Sequence, residues 1–372
     1  MPSFHDKLKP SPQKKLLALD GGGIRGVITL EILARIEKVL QKKLARGDDF
    51  VLAEYFDYVA GTSTGAIIAT CVSLGMRVAD IQTFYLENGP AMFDQASLMN
   101  RYLHHKFEDK KLKVQLKKVL GANTTLGSDK LRTLLMMVMR NASTDSPWPV
   151  SNNPGALFNC NPKDPGCNLK LPLWQLVRAS TAAPVYFPPE LVQVGNKEFI
   201  FVDGGITMYN NPAFQLYLMA TLEPFRLEWP SGEERMLVVS LGTGMAPKAK
   251  ADLEASEMNL VYNASSLAPA LMFAALNEQD LLCRAFGRCR TGDPIDAEVG
   301  DLIGTRGPVE PRLFTYLRYN AELTRRGLDR LGLPRVNPEN VQHLDSVEFI
   351  GELTEVGAAL AAKVDPGHFA GF

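Results

Sequence analysis

The chain has 372 residues, 46% of them hydrophobic, enough to bury a large core in one big α/β domain or two smaller ones. Its formal net charge of −1 excludes nucleic-acid affinity from bulk charge. Cys71, Cys160, Cys167, Cys283 and Cys289 show no CxxC spacing, and their odd number and scatter suit a reducing compartment, hence a cytoplasmic location. Cys160 and Cys167 are close enough in sequence to pair, but two free thiols are the expectation.

Residues 1–14 are polar and lysine- and proline-rich, without the apolar stretch of a secretory signal. They read as a flexible lead-in to a single domain over 15–372. The apolar run Leu16–Leu19 ends at Asp20 and three glycines, which predicts a buried strand running into a tight loop. Val27 to Leu44 carries Ile28, Ile32, Leu33, Ile36, Val39 and Leu40 at helical spacing. A short helix over Phe50–Phe56 and a strand over Asp57–Ala60 lead to Gly61-Thr62-Ser63-Thr64-Gly65. A helix over Ala66–Leu74 follows.

Residues 77–130 read as mostly helical, with Leu112, Leu116, Val119 and Leu120 on one face and lysines elsewhere between Lys106 and Lys118. Those lysines suit a solvated face, with anionic lipid headgroups as the other use. Leu134–Met139 predicts a buried strand, and Asn141–Lys170, rich in Asn, Pro, Ser and Gly, a long surface loop. A helix over Leu173–Ala182 precedes a strand over Glu198–Val202 that delivers Asp203. Asn211 and Pro212 then read as a helix cap and first-turn proline. Met236–Ser240 is a further buried strand, ending at the tight turn Gly242-Thr243-Gly244. The part from about 250 to 372 is helix-rich, with a strand at Leu313–Leu317. Met258–Asn277 carries no charge but is too polar to span a membrane. Its Leu267–Leu276 portion is expected to pack into the core, with an acyl channel or an interface as the alternative. Alternating strands and helices predict an α/β fold with a largely parallel sheet.

Three motifs carry chemistry. Gly61 and Gly65 around Ser63, between a strand and a helix, fit a sharp turn that lifts a nucleophilic hydroxyl clear of a sheet. Gly21-x-Gly23-x-x-Gly26 fits either a dinucleotide loop or a set of backbone donors for an oxyanion. The nucleotide reading wants an acid at the end of a second strand. Asp48 and Asp49 have the spacing but no evident strand before them. A serine triad also needs a histidine, and only His5, His104, His105, His343 and His368 are present. His343 alone has a fitting place in chain order, in a helix-rich tail. The competing base is Asp203, before Gly204 and Gly205, where partial desolvation would raise its basicity; its other use is a turn aspartate.

Asp20–Gly26, Gly61–Gly65 and Asp203–Gly205 together resemble the patatin family of lipid acyl hydrolases. So do Leu52–Asp57, Ala182-Ala183-Pro184-Val185-Tyr186-Phe187-Pro188, Asn210-Asn211-Pro212 and Ser240–Gly244, so that the likeness is strong over about 15–245 and weak beyond. The resemblance implies a three-layer α/β/α sandwich. It implies a Ser–Asp dyad of Ser63 as nucleophile and Asp203 as base, with Gly22, Gly23 and Arg25 at the oxyanion positions and no metal or cofactor. The implied substrates are acyl esters of phospholipids or glycolipids, with peripheral membrane contact an open option. A ligand-gated effector, or a lipid-binding protein of weak hydrolysis, is the alternative. Headgroup, acyl chain and oligomeric state are not set by the sequence.

Overall fold

A computed structural model of the chain describes residues 4–93, 112–159, 161, 163–184, 187–245, 247, 254, 258, 260–345 and 347–372. Its centre is one nine-stranded sheet. The strands are β1 (Lys14–Leu19), β2 (Tyr58–Thr62), β3 (Leu134–Asn141), β4 (Ser146–Ser151), β5 (Glu190–Val194), β6 (Lys197–Asp203), β7 (Met236–Leu241), β8 (Arg288–Thr291) and β9 (Thr315–Tyr319). The order is β5-β6-β3-β2-β1-β7-β9-β8, with β4 also on β3. From β3 through β2, β1, β7 and β9 to β8 every pairing is parallel, while β4, β5 and β6 add an antiparallel flank.

The central parallel strands β2, β3 and β7 are buried on both faces, which is why their sequences are nearly continuous apolar runs rather than alternating ones, whereas the edge strand β8 is polar and only partly buried. On β1, Leu17 and Leu19 enter one core with Ile28, Ile32 and Ile36 of the helix Gly26–Lys43. Leu16 and Ala18 enter a second core on the opposite face with Leu216 of the helix Ala213–Thr221 and Trp229. Helices on both faces make the three-layer α/β/α sandwich. Leu112, Leu116 and Leu120 are buried on the first face, as their spacing requires. The rest of the lysine-rich segment, Lys106–Lys111, lies outside the described residues, as do His104, His105, Cys160, Val185 and Tyr186. Cys167 is a free, buried thiol.

Some expectations need correction. The stretch 141–170 is not one long loop, because β4 returns antiparallel along β3 inside it. Its Pro147 and Pro149 read as loop residues, but they sit on a strand that among the described residues pairs with β3 alone, where a missing N–H costs no ladder bond. The predicted strand 313–317 lies two residues later, at β9. Within 77–130 the described residues are mostly helical, in the helix Val78–Phe93 and at 112–120, and residues 121–130 form turns. Asp48 and Asp49 lie in an exposed turn rather than at a strand end, which removes the acid the dinucleotide reading needs. Residues 4–8 form a short helix whose Lys7 ammonium is buried and bonds the Ala53 carbonyl at 2.6 Å.

The helix Leu260–Phe286 also differs from expectation. Leu276 is buried, but Leu267 and Leu271 are 61% and 62% exposed. At about 1.5 Å per residue its 27 residues run about 40 Å, far longer than the five-residue β9 beside it. Its second half carries Asp280 and Arg284 against the sheet, and the first half continues past the carboxyl ends of the strands. Among the described residues no helix is long and apolar enough to cross a membrane.

Candidate active site

The register of β3 brings the two halves of the site together. Thr62, the last residue of β2, pairs with Val138, and Asp203, the last of β6, pairs with the next residue, Met139. β4 covers the other edge of β3 along Met136–Asn141, so β6 continues the position that β2 vacates. The residue after Thr62 therefore meets Asp203. Ser63 Oγ donates to Asp203 Oδ2 at 2.6 Å.

Ser63 sits at φ 54°, ψ −122°, a backbone conformation that non-glycine residues rarely adopt and that costs on the order of 1–3 kcal/mol. The surrounding turn enforces it. A Cβ on Gly61 would lie 2.0 Å from the Gly65 carbonyl oxygen, and one on Gly65 would lie 2.3 Å from that of Leu19, so the strand and helix approach closely only because both are glycine. Ser63 precedes the helix Thr64–Ser73, whose N-terminal dipole favours negative charge at the hydroxyl. Its own N–H donates to Ser180 Oγ at 2.9 Å, and Ser180 Oγ donates to the Val138 carbonyl at 2.5 Å. Thus Ser180 locks the elbow to β3.

Asp203 is 5% exposed. Burial raises its carboxyl from 3.8 to about 6, against the opposing pull of the Ser63 hydroxyl, the Gly205 N–H and Arg178. The Gly205 N–H donates to Asp203 Oδ1 at 2.6 Å, which orients the carboxylate and leaves Oδ2 to the serine. A carboxylate so placed is a competent general base near neutral pH. His343 is exposed, and among the described residues it has no bond to Ser63. His368 instead pairs with the Tyr319 hydroxyl at 2.8 Å.

The glycine loop leaves β1 beside this pair. It is held by Asp20 N–H to the Leu241 carbonyl at 3.0 Å, Gly21 N–H to that of Asn210 at 3.1 Å and Ile24 N–H to that of Leu344 at 2.9 Å. Thr243 Oγ1 donates to the Gly21 carbonyl at 2.8 Å, which gives the Gly242–Gly244 turn its purpose. Gly23, at φ 59°, passes so close to Leu344 that a Cβ would lie 2.1 Å from its carbonyl oxygen. Arg25 donates its main-chain N–H to Gly22 at 3.2 Å and Nη1 to the Gln342 carbonyl at 3.1 Å. Burial lowers its guanidinium to about 10, against the pull of Asp20. Among the described residues these bonds leave the Gly22 and Gly23 N–H groups uncommitted.

Beneath the loop, Arg318 of β9 grips Asp20 with two bonds, Nη1 to Oδ1 at 3.0 Å and Nη2 to Oδ2 at 2.7 Å. Neither Ser180 nor Arg318 stood out in the sequence. A signal existed for Arg318: an arginine inside the apolar strand Tyr316-Leu317-Arg318-Tyr319 requires a buried acid, and Asp20 ends another apolar strand.

A family model described as "Patatin-like phospholipase" matches residues 17–217, more than half of the chain. "Patatin-like protein 1" of Oryza sativa subsp. indica is 31% identical over 271 residues, covering 63% of this chain and 59% of that protein. "Patatin-like protein 1" of Arabidopsis thaliana is 32% identical over 255 residues, covering 62% and 58%. The "cGAMP-activated phospholipase" of Escherichia coli (strain TW11681) is 26% identical over 238 residues, covering 62% of each. The chain thus spans about three fifths of the length of these relatives.

Proposed function

The chain belongs to the patatin-like phospholipase family, and on that premise we propose that it is a serine acyl hydrolase that cleaves fatty-acyl esters of phospholipids or glycolipids with Ser63 as nucleophile and Asp203 as base. The observation that carries the reading is the 2.6 Å bond from Ser63 Oγ to a buried Asp203 carboxylate at a strained elbow. Asp203 takes the Ser63 proton as Oγ attacks the acyl carbonyl. The negative charge on the former carbonyl oxygen is held by the Gly22 and Gly23 N–H groups, with the Arg25 guanidinium adding positive charge nearby. The tetrahedral centre collapses, the leaving alkoxide takes the proton from Asp203, and an acyl-Ser63 remains. Water then attacks with Asp203 again as base, freeing the fatty acid and restoring the serine.

The exposed apolar side chains support a lipid substrate. Ile206 and Met208, just after Asp203, are 40% and 46% exposed. The helix carrying the exposed Leu267 and Leu271 packs against the turn Gly204–Ile206. These groups would face the aggregate from which an acyl chain is drawn.

A ligand-gated form of the same activity is a second reading. It is favoured by the low exposure of Ser63, 9%, and by the name of the Escherichia coli relative, a cGAMP-activated phospholipase. A fluorophosphonate probe tests both readings. Prompt labelling at Ser63, lost in Ser63→Ala, supports a constitutive hydrolase. Labelling that needs an added cyclic dinucleotide supports gating. No labelling under either condition contradicts both.

A further inference from the structure

We propose that Arg318 is a positioning residue for the hydrolysis: its guanidinium fork fixes Asp20, and through Asp20 aims the Gly22 and Gly23 N–H groups at the oxyanion. This rests on the Ser63–Asp203 reading above. It goes beyond that reading because Arg318 lies well outside the span matched by the family model, residues 17–217.

Arg318 and Asp20 are 2% and 0% exposed, and they join two strands that are not neighbours. The side chain reaches from β9 across β7 to the end of β1. On the way it donates to Ser240 Oγ at 2.8 Å, and Ser240 is its register partner on β7. On its other side Asp280 Oδ2 lies 4.0 Å from Arg318 Nε. Asp280 is itself held by Arg284, at 2.9 and 2.8 Å, and by the Tyr316 hydroxyl at 3.0 Å. The guanidinium is therefore fixed in position before it meets Asp20.

A buried ion pair is a weak source of stability, because taking both charges out of water offsets most of their attraction. What the planar fork supplies is direction: two parallel bonds fix both the place and the plane of the carboxylate. Asp20 is the first residue of the glycine loop, and Gly22 and Gly23 follow it within three residues. The other ties on Asp20 and Gly21 are single bonds through their main-chain atoms, to the Leu241 and Asn210 carbonyls and from the Thr243 hydroxyl. Arg25 is the other cation whose field Asp20 feels, and its Nε has no partner among the described residues. Without Arg318 the carboxylate is drawn along its own loop toward Arg25, and the two glycine donors turn with it. Oxyanion donors act only when aimed at the developing charge, and removing one costs about 10²–10³ in kcat.

The test uses Arg318→Lys and the double variant Asp20→Asn/Arg318→Met, which leaves no buried charge in place of the pair. Competent sites are counted by the endpoint of fluorophosphonate labelling, and p-nitrophenyl ester hydrolysis is expressed per labelled site. The expected result in both is a kcat per site lower by on the order of 10–100-fold, less than a donor removed outright because the glycine N–H groups are turned and not lost. KM stays within about twofold and the acid limb of the pH profile, set by Asp203, does not move. Wild-type kcat per site, with only fewer sites or a lower Tm, would make Arg318 a structural residue and overturn the proposal. A displaced acid limb would also overturn it, because Arg318 would then act through the base. A wild type inert both with and without an added cyclic dinucleotide removes the hydrolase reading itself, a result distinct from either.

Discussion

Replacing Asp203 by asparagine is expected to stabilise the protein at neutral pH while abolishing its activity. The folded site holds the carboxyl at about 6 against an ordinary 3.8, because burial disfavours the charge. Between those values the folded state binds more proton than the unfolded one, so stability falls as pH rises through the window and is lowest above it. A rise of roughly 2 pH units corresponds to about 3 kcal/mol of stability forgone above pH 6. Asparagine keeps the shape and an acceptor oxygen but never ionises, so it removes that penalty. With an unfolding entropy of roughly 2 cal/mol/K per residue, 372 residues convert it to a gain of about 4 °C in Tm. Differential scanning calorimetry of wild type and Asp203→Asn from pH 4 to 8 measures it. The gain should be full at pH 7.5 and shrink toward zero near pH 4. An Asp203→Asn protein equal to or below wild type at pH 7.5, or a gain independent of pH, would refute the assignment of a desolvated carboxylate.

In the proposed mechanism the same carboxyl sets the rate. The kcat/KM for a soluble ester should fall about tenfold per pH unit below about 6, as the base becomes protonated; a flat profile down to pH 4.5 would argue against Asp203 as base. Ser180→Ala leaves the Ser63 N–H unpaired in a buried elbow, so it should cost about 1–3 kcal/mol in urea unfolding and lower kcat with it. Unchanged stability would show that the bond does not hold the turn. Replacing Leu267 and Leu271 together by glutamate should lower the ratio of vesicle to soluble-ester hydrolysis by on the order of tenfold, because two charges are placed on an apolar contact face. An unchanged ratio would assign those leucines no part in lipid contact.

The parts of this molecule written locally were legible in its sequence. Leu16–Leu19, Leu134–Met139 and Met236–Ser240 are apolar because the central sheet is covered on both faces, and each is a strand. Asp20–Gly26 and Gly61–Gly65 stood out because tight backbone approaches demand glycine at fixed spacing. What could not be read depends on pairing across the chain. β4 was hidden by two prolines that an edge strand tolerates. The exposure of Leu267 and Leu271 follows from how far their helix outruns the sheet, which an apolar sequence does not reveal. Ser180 and Arg318 act through partners 117 and 298 residues distant, so no local pattern announces them.

The central claim is that Asp203, and not a histidine, activates Ser63. Initial rates of p-nitrophenyl ester hydrolysis for Ser63→Ala, Asp203→Ala and His343→Ala, each confirmed folded by its thermal transition, test it most directly. The account predicts that the first two lose activity to background while His343→Ala keeps the wild-type pH dependence. Activity retained in Asp203→Ala and lost in His343→Ala would replace the dyad by a triad.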